Sequence, residues 1–331
     1  MTRPYQPDVQ PTAIASEGCI LSSSEHAQAI NSITPLAALT PAHCVAQFST
    51  ASDLSRICLR CALSAVSLSA KQPLEIVRSC DRTLELGLES APMIDSSVLV
   101  AGVRGDQNDF SSRWIAAICA MLGGENEQGR VSPTVSSHVL ELNKANQLLL
   151  RVGYGVETVK RNTGLILPFS CKSPASGSGT SRALPGTLML PTGVPPSLYA
   201  ECWLHECLHT ELLLGEWLFG GDLAISDAPL PTPWRTVNRP ANLLLHGSFV
   251  FVHVAQFMQR ASASYASMTK EWELSAAHGH RICACDVDAA ASFRLSQVRE
   301  AMETLATFAT FTSLGQRVFE SIHSRLGALD S

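Results

Sequence analysis

One apolar run constrains this chain more than any other: Leu198–Gly220, reading LYAECWLHECLHTELLLGEWLFG. Leu, Ala, Glu and Trp dominate it, it holds no proline, and Gly215 is its only interior glycine, so it is predicted to be helical. Pro195-Pro196-Ser197 supply ordinary start signals. Within the run lies His205-Glu206-Cys207-Leu208-His209, an HExxH pattern. Residues four apart share a helix face, so His205 and His209 can offer imidazole nitrogens to one ion. Glu206 then stands at the metal's edge, as a base or as a hydrogen-bond partner of a bound ligand.

Two histidines do not complete a catalytic metal site, and the spacing tests the choices for a third ligand. The metzincin continuation needs Gly and then His where this chain has Leu212 and Gly215. Glu216 lies seven residues beyond His209, roughly 10 Å along a straight helix, too far to share the ion. The next predicted helix, about 242–260, carries no acid but two histidines, His246 and His253, seven apart on one face. His246 is preferred because it lies near the helix start; Glu271 and Glu273 are the acidic alternatives. Just before this helix, Arg235 and Arg239 sit four apart between Pro233 and Pro240, beside Trp234. Such a pair suits bidentate carboxylate recognition, or caps helix ends.

The chain has 331 residues, 46% hydrophobic and 16% charged, ample for a real core. A formal net charge of −5 and the lack of any basic block exclude a nucleic-acid reader. No signal pattern and no run of about 18 apolar residues is evident, so no membrane association and a cytoplasmic location are expected. Eleven cysteines without framework spacing are expected to be reduced thiols. Cys58 and Cys61 form a CxxC inside an apolar helical run and read as structural; the cluster His278, His280, Cys283 and Cys285 matches no zinc module and reads as a surface loop.

The expected fold is mainly α, of the α+β kind, with a small sheet packed on the HExxH helix. Residues 1–35, rich in Pro, Ser and Thr, read as an extended arm. A helical part spans 36–122 with segments near 41–48, 52–70, 73–88 and 114–122. A Gly-rich loop at 123–129 precedes a metal-binding catalytic part over 130–331. There, Val135–Leu142, Thr163–Phe169 and Gly186–Leu190 read as strands, and Ser173–Ser181 as a loop. Helices are expected at about 242–260, 289–305 and 310–326.

Taken in order, GTLML, AECWLHECLH, the PWRxxxRP of Pro233–Pro240 and the LLHGSFVF of Leu244–Phe251 resemble the HExxH-motif peptide-modification proteins of ribosomal peptide natural-product (RiPP) biosynthesis clusters, described as 2-oxoglutarate-dependent peptide β-hydroxylases. The likeness covers about Leu184–Ser248, with a weaker echo at Leu305–Phe319. It implies a dioxygenase: Fe(II) held by His205, His209 and His246, with 2-oxoglutarate on that iron and its distal carboxylate on Arg235 or Arg239. Glu206 would stand beside the metal, and a precursor peptide would be hydroxylated at a side-chain β-carbon. A homodimer is neither required nor excluded. Two other readings stand beside it: a zinc metallopeptidase using Glu206 as general base, and a non-catalytic peptide-binding module.

Overall fold

The computed structural model describes residues 19–33, 89–93, 96–100, 129–131, 135–171, 178–180, 182, 185–264 and 287–329. Over these residues the protein is mainly helical with a small five-stranded sheet and a two-stranded one, the α+β arrangement expected from the sequence. The helical segments expected between residues 41 and 88 and between 114 and 122, Cys58 and Cys61, Glu271 and Glu273, and the His278–Cys285 cluster lie outside the described residues.

The expected arm is not extended throughout. Ser23–Ile33 forms helix α1. Ser22 and Glu25 cap it reciprocally: the Glu25 amide donates to Ser22 Oγ at 3.2 Å, and the Ser22 amide to Glu25 Oε2 at 2.8 Å. This capping box satisfies amides that the first turn leaves free.

The stretch counted with the helical part contributes strands β1 (Glu89–Met93) and β2 (Ser96–Val100), an antiparallel pair. Strand β3 (Gly129–Val131) follows. Val135–Leu142 is not a strand either: helix α2 runs Val135–Val152. Apparent alternation at its start gives way to buried Leu142, Ala145, Asn146, Leu149 and Val152, spaced three and four apart, which is the helical period. A short helix α3 (Val156–Asn162) leads into β4 (Leu165–Cys171), and β5 (Thr187–Pro191) follows, both where strands were expected.

Strand β4 is the centre of the sheet. β5 pairs parallel along Leu165–Phe169. β2 pairs parallel at Leu165 and Ile166, and β3 antiparallel at Phe169–Cys171. Parallel strands need both faces covered, and β4 and β5 are accordingly apolar and buried at Leu165, Ile166, Leu167, Leu188 and Leu190. Gly179 makes a two-hydrogen-bond antiparallel bridge to Met189.

Helix α4 (Pro196–Phe219) starts immediately after β5 and packs against the sheet through that strand. It also touches α1, α2, α3 and the next helix, α5 (Ala241–Ser264). A helix apolar all round must be buried all round. Its end is set by Gly220 at φ +75°, whose amide returns to the Glu216 carbonyl at 2.8 Å.

Between α4 and α5, strand β6 (Ala224–Ile225) pairs antiparallel with β7 (Thr310–Phe311). β7 joins helix α6 (Val287–Phe308) to helix α7 (Ser313–Leu329). α5 and α6 form the most extensive helix pair. By length and hydropathy α5 passes for a membrane span, but 83% of its apolar window is buried inside the protein.

Candidate metal centre

Helix α4 positions the HExxH residues by what it leaves uncovered. From Ser197 to Glu216 every residue is buried except His205, His209 and Leu213, which form a single i, i+4, i+8 stripe. The two imidazoles therefore stand where an otherwise enclosed helix meets accessible space. Their ring centres are 4.9 Å apart, edge to face. Burial pushes the His205 pKa down to about 4, against the opposing pull of Glu201, with Arg294 adding to the depression. Burial and the flanking imidazoles hold His209 well below the ordinary histidine range. At neutral pH both rings are uncharged and can donate a lone pair.

Glu206 is buried, 3% exposed. Burial raises its pKa to about 7, partly offset by the Ser178 hydroxyl, which donates to Oε1 at 2.6 Å. His205 Nε2 lies 3.9 Å from the same oxygen, beyond hydrogen-bond range. Near pH 7 Glu206 can thus both take up and release a proton.

Helix α5 brings His246 to this group. Its ring stacks on that of His209, with centres 5.8 Å apart and planes 24° apart. His246 Nε2 is engaged with Glu216 Oε1 at 2.9 Å. His253 is placed elsewhere: its Nδ1 meets the Tyr154 hydroxyl at 2.7 Å, and its ring packs on Phe249.

A ring centre lies about 3 Å from an ion bound at about 2.0–2.1 Å, so imidazoles sharing an ion have centres within about 6 Å. The His205–His209 and His209–His246 separations both meet that limit. Imidazole donors suit iron and zinc alike. Among the described residues, no three His, Cys, Asp or Glu side chains stand as a finished ligand set. What fits an ion is a ready pair, with a third ring stacked beside it.

The PWRxxxRP segment reaches the site through its tryptophan. Trp234 packs on Phe251 at 5.0 Å between ring centres, and Phe251 in turn packs on His205 at 5.8 Å. A Cβ on Gly247 would fall 2.5 Å from the Trp234 ring, so this glycine leaves the room the indole occupies. Paired backbone hydrogen bonds between Leu230 and Arg239, at 2.7 and 2.8 Å, close the loop. Arg235 is exposed and Arg239 partly so. Some burial and the nearby Arg235 charge lower the Arg239 pKa. Neither guanidinium has an ion-pair partner among the described residues.

Spacing alone did not point to several neighbours. Glu201, one turn before His205, pairs with Arg294 of α6 at 2.7 Å, and the Arg294 guanidinium lies 5.9 Å from the Phe251 ring centre. Glu211, wholly buried, accepts the Ile20 and Leu21 amides at 3.0 and 2.8 Å and the Asn162 side-chain amide at 2.9 Å; Arg161 stands 3.4 Å away. Glu216, too far along α4 from His209 to share its ion, contacts His246 instead. The i, i+4 step from Glu201 to His205 is visible in the sequence, but the partners on other elements are not. No family model matches the chain, and no curated protein matches it.

Proposed function

We propose that the protein is an Fe(II)/2-oxoglutarate-dependent peptide hydroxylase, an oxidoreductase of the cytoplasm acting on a precursor peptide. The observation that carries the metal site is the accessible stripe of α4: two adjacent, neutral imidazoles that, with Leu213, are the only residues between Ser197 and Glu216 left unburied. His205 and His209 would hold the ion, with His246 as third donor. An Fe(II) ion bound there with 2-oxoglutarate and dioxygen would supply the oxidant for hydroxylating a peptide C–H bond. The chain's own residues do the rest. Arg235 and Arg239, uncommitted to any carboxylate among the described residues, are available to a dicarboxylate. Trp234 and Phe251 form an apolar wall beside His205. Glu206 and Ser178 hold or move a proton beside the ion. The iron, the keto acid and the peptide rest on the sequence resemblance; the stripe supports the metal.

Anaerobic titration of the Fe(II)-loaded protein with 2-oxoglutarate tests this reading. A visible charge-transfer band is expected, which zinc, being d¹⁰, cannot give. Its absence, with zinc tightly held, would favour a metallopeptidase. One observation supports that second reading: a buried Glu206 with a pKa near 7 is suited to a general base on metal-bound water.

A further inference from the structure

The carboxylate of Glu216 determines which nitrogen His246 can offer. The Leu223 amide donates to Asn242 Oδ1 at 2.8 Å, which fixes the orientation of that side-chain amide. Asn242 Nδ2 therefore points its hydrogens at Glu216 Oε1, the same oxygen that meets His246 Nε2. The other carboxylate oxygen faces Arg182 Nε at 3.3 Å. Glu216 is thus surrounded by an amide donor, a guanidinium and an imidazole nitrogen, and a carboxylate so placed can only accept. The proton between Glu216 and His246 belongs to Nε2, and in the neutral ring Nδ1 carries the lone pair.

We propose that Glu216 is a positioning residue that locks His246 in the Nε2–H tautomer, so that Nδ1 is the nitrogen offered to an ion shared with His205 and His209. This rests on the metal reading above. Its chemistry is that of a metal-bound histidine whose second nitrogen donates to a carboxylate, which orients the ring and raises its basicity. The four residues come from three places: Arg182 from the segment before β5, Glu216 from the last turn of α4, and Asn242 and His246 from the first two turns of α5. The Glu216–His246 hydrogen bond therefore also fastens α5 to α4, and the test must separate orientation from fastening.

Long-range proton–nitrogen NMR of the metal-free, ¹⁵N-histidine-labelled full chain reads the tautomer directly. Zn²⁺ alone, being diamagnetic, serves as the metal probe. The expected result is Nε2–H on His246 before zinc, and a coordination shift at its Nδ1 on zinc addition. E216Q should weaken Zn²⁺ binding about 10–100-fold, and E216D should restore part of it. An Nδ1–H tautomer in the metal-free protein overturns the inference whatever the metal does. So does undiminished zinc affinity in a folded E216Q variant. Zinc shifts at His205 and His209 with His246 unmoved would sink this inference alone, whereas no shift at any of the three would sink the metal reading with it. Should E216Q fail to fold, the wild-type tautomer and zinc shifts still decide.

Discussion

At the scale of single residues, the difference between His246 and His253 is a difference of neighbours, not of chemistry. Both are buried on α5, seven residues apart, yet one stacks on His209 and the other is held by Tyr154. His205→Ala or His209→Ala should abolish retention of a divalent ion. His253→Ala should keep it, although the lost Tyr154 contact lowers stability by about 1–3 kcal/mol. Metal content after gel filtration, paired with a urea melt, checks both halves. Equal metal loss in His253→Ala would move the third donor there. Gly247 gives a second outcome at this scale. Gly247→Ala places a methyl 2.5 Å from the Trp234 ring, so the indole must move off Phe251. A red-shifted tryptophan emission with the helix content retained is expected, and an unchanged spectrum would show the indole is not confined. The histidine pair was legible in the sequence because HExxH is a local, one-helix pattern. The Glu216–His246 contact was not, because it joins residues thirty apart across two helices, and no periodicity on either helix encodes it.

Elements fared differently according to whether their partners are near in sequence. α4, β4, β5, α5, α6 and α7 follow local signals: apolar period, bounding prolines and glycines, and a left-handed Gly220. The Ser22–Glu25 capping box was equally visible, but its surroundings, rich in small polar residues, masked it. β1 and β2 pair with each other as neighbours, and β2 also pairs with β4, more than sixty residues on, a long-range contact that no local pattern encodes. Glu211, a buried carboxylate with four donors, ties α3 and the residues leading into α1 to α4. Glu211→Ala leaves the Ile20 and Leu21 amides, Asn162 and Arg161 without their acceptor and should cost about 3–5 kcal/mol. Denaturant midpoints at constant m-value would show it. A loss below about 1 kcal/mol would mean water replaces the carboxylate freely. Gly315→Ala should be comparably severe, because its methyl would stand 1.9 Å from the Leu223 carbonyl oxygen, a backbone atom with no rotamer to yield.

Over the whole molecule, α1 is the clasp that ties the beginning of the chain to its middle and its end. Glu25 pairs with Arg317 of α7 at 3.1 Å, and Arg161 NH2 donates to the Leu21 carbonyl at 3.1 Å. His26 Nε2 meets Asn162 Oδ1 at 3.1 Å. Asn162 spends its amide hydrogens on Glu211, so its oxygen must accept, and His26 donates. Burial, with the Arg161 charge adding, pushes the His26 pKa down to about 4. The unfolded value is about 6.5. Between those limits the unfolded chain binds the proton that the folded chain refuses, so stability rises with pH across that window and falls as pH drops through it. Above 6.5 the contribution is complete; below 4 it is gone. His205, depressed to about 4 by burial, adds a loss of the same sign in the metal-free protein. His26→Gln keeps a donor for Asn162 but cannot be protonated. Its unfolding free energy should therefore depend less steeply on pH between 4 and 6.5, by up to about 1.4 kcal/mol per pH unit, the value of one proton. Urea melts of the metal-free wild type and variant at half-unit steps read this slope difference. Parallel slopes would mean that α1 has already left α4 before His26 takes up its proton. In that case the clasp opens through Glu25–Arg317 and not through the buried histidine.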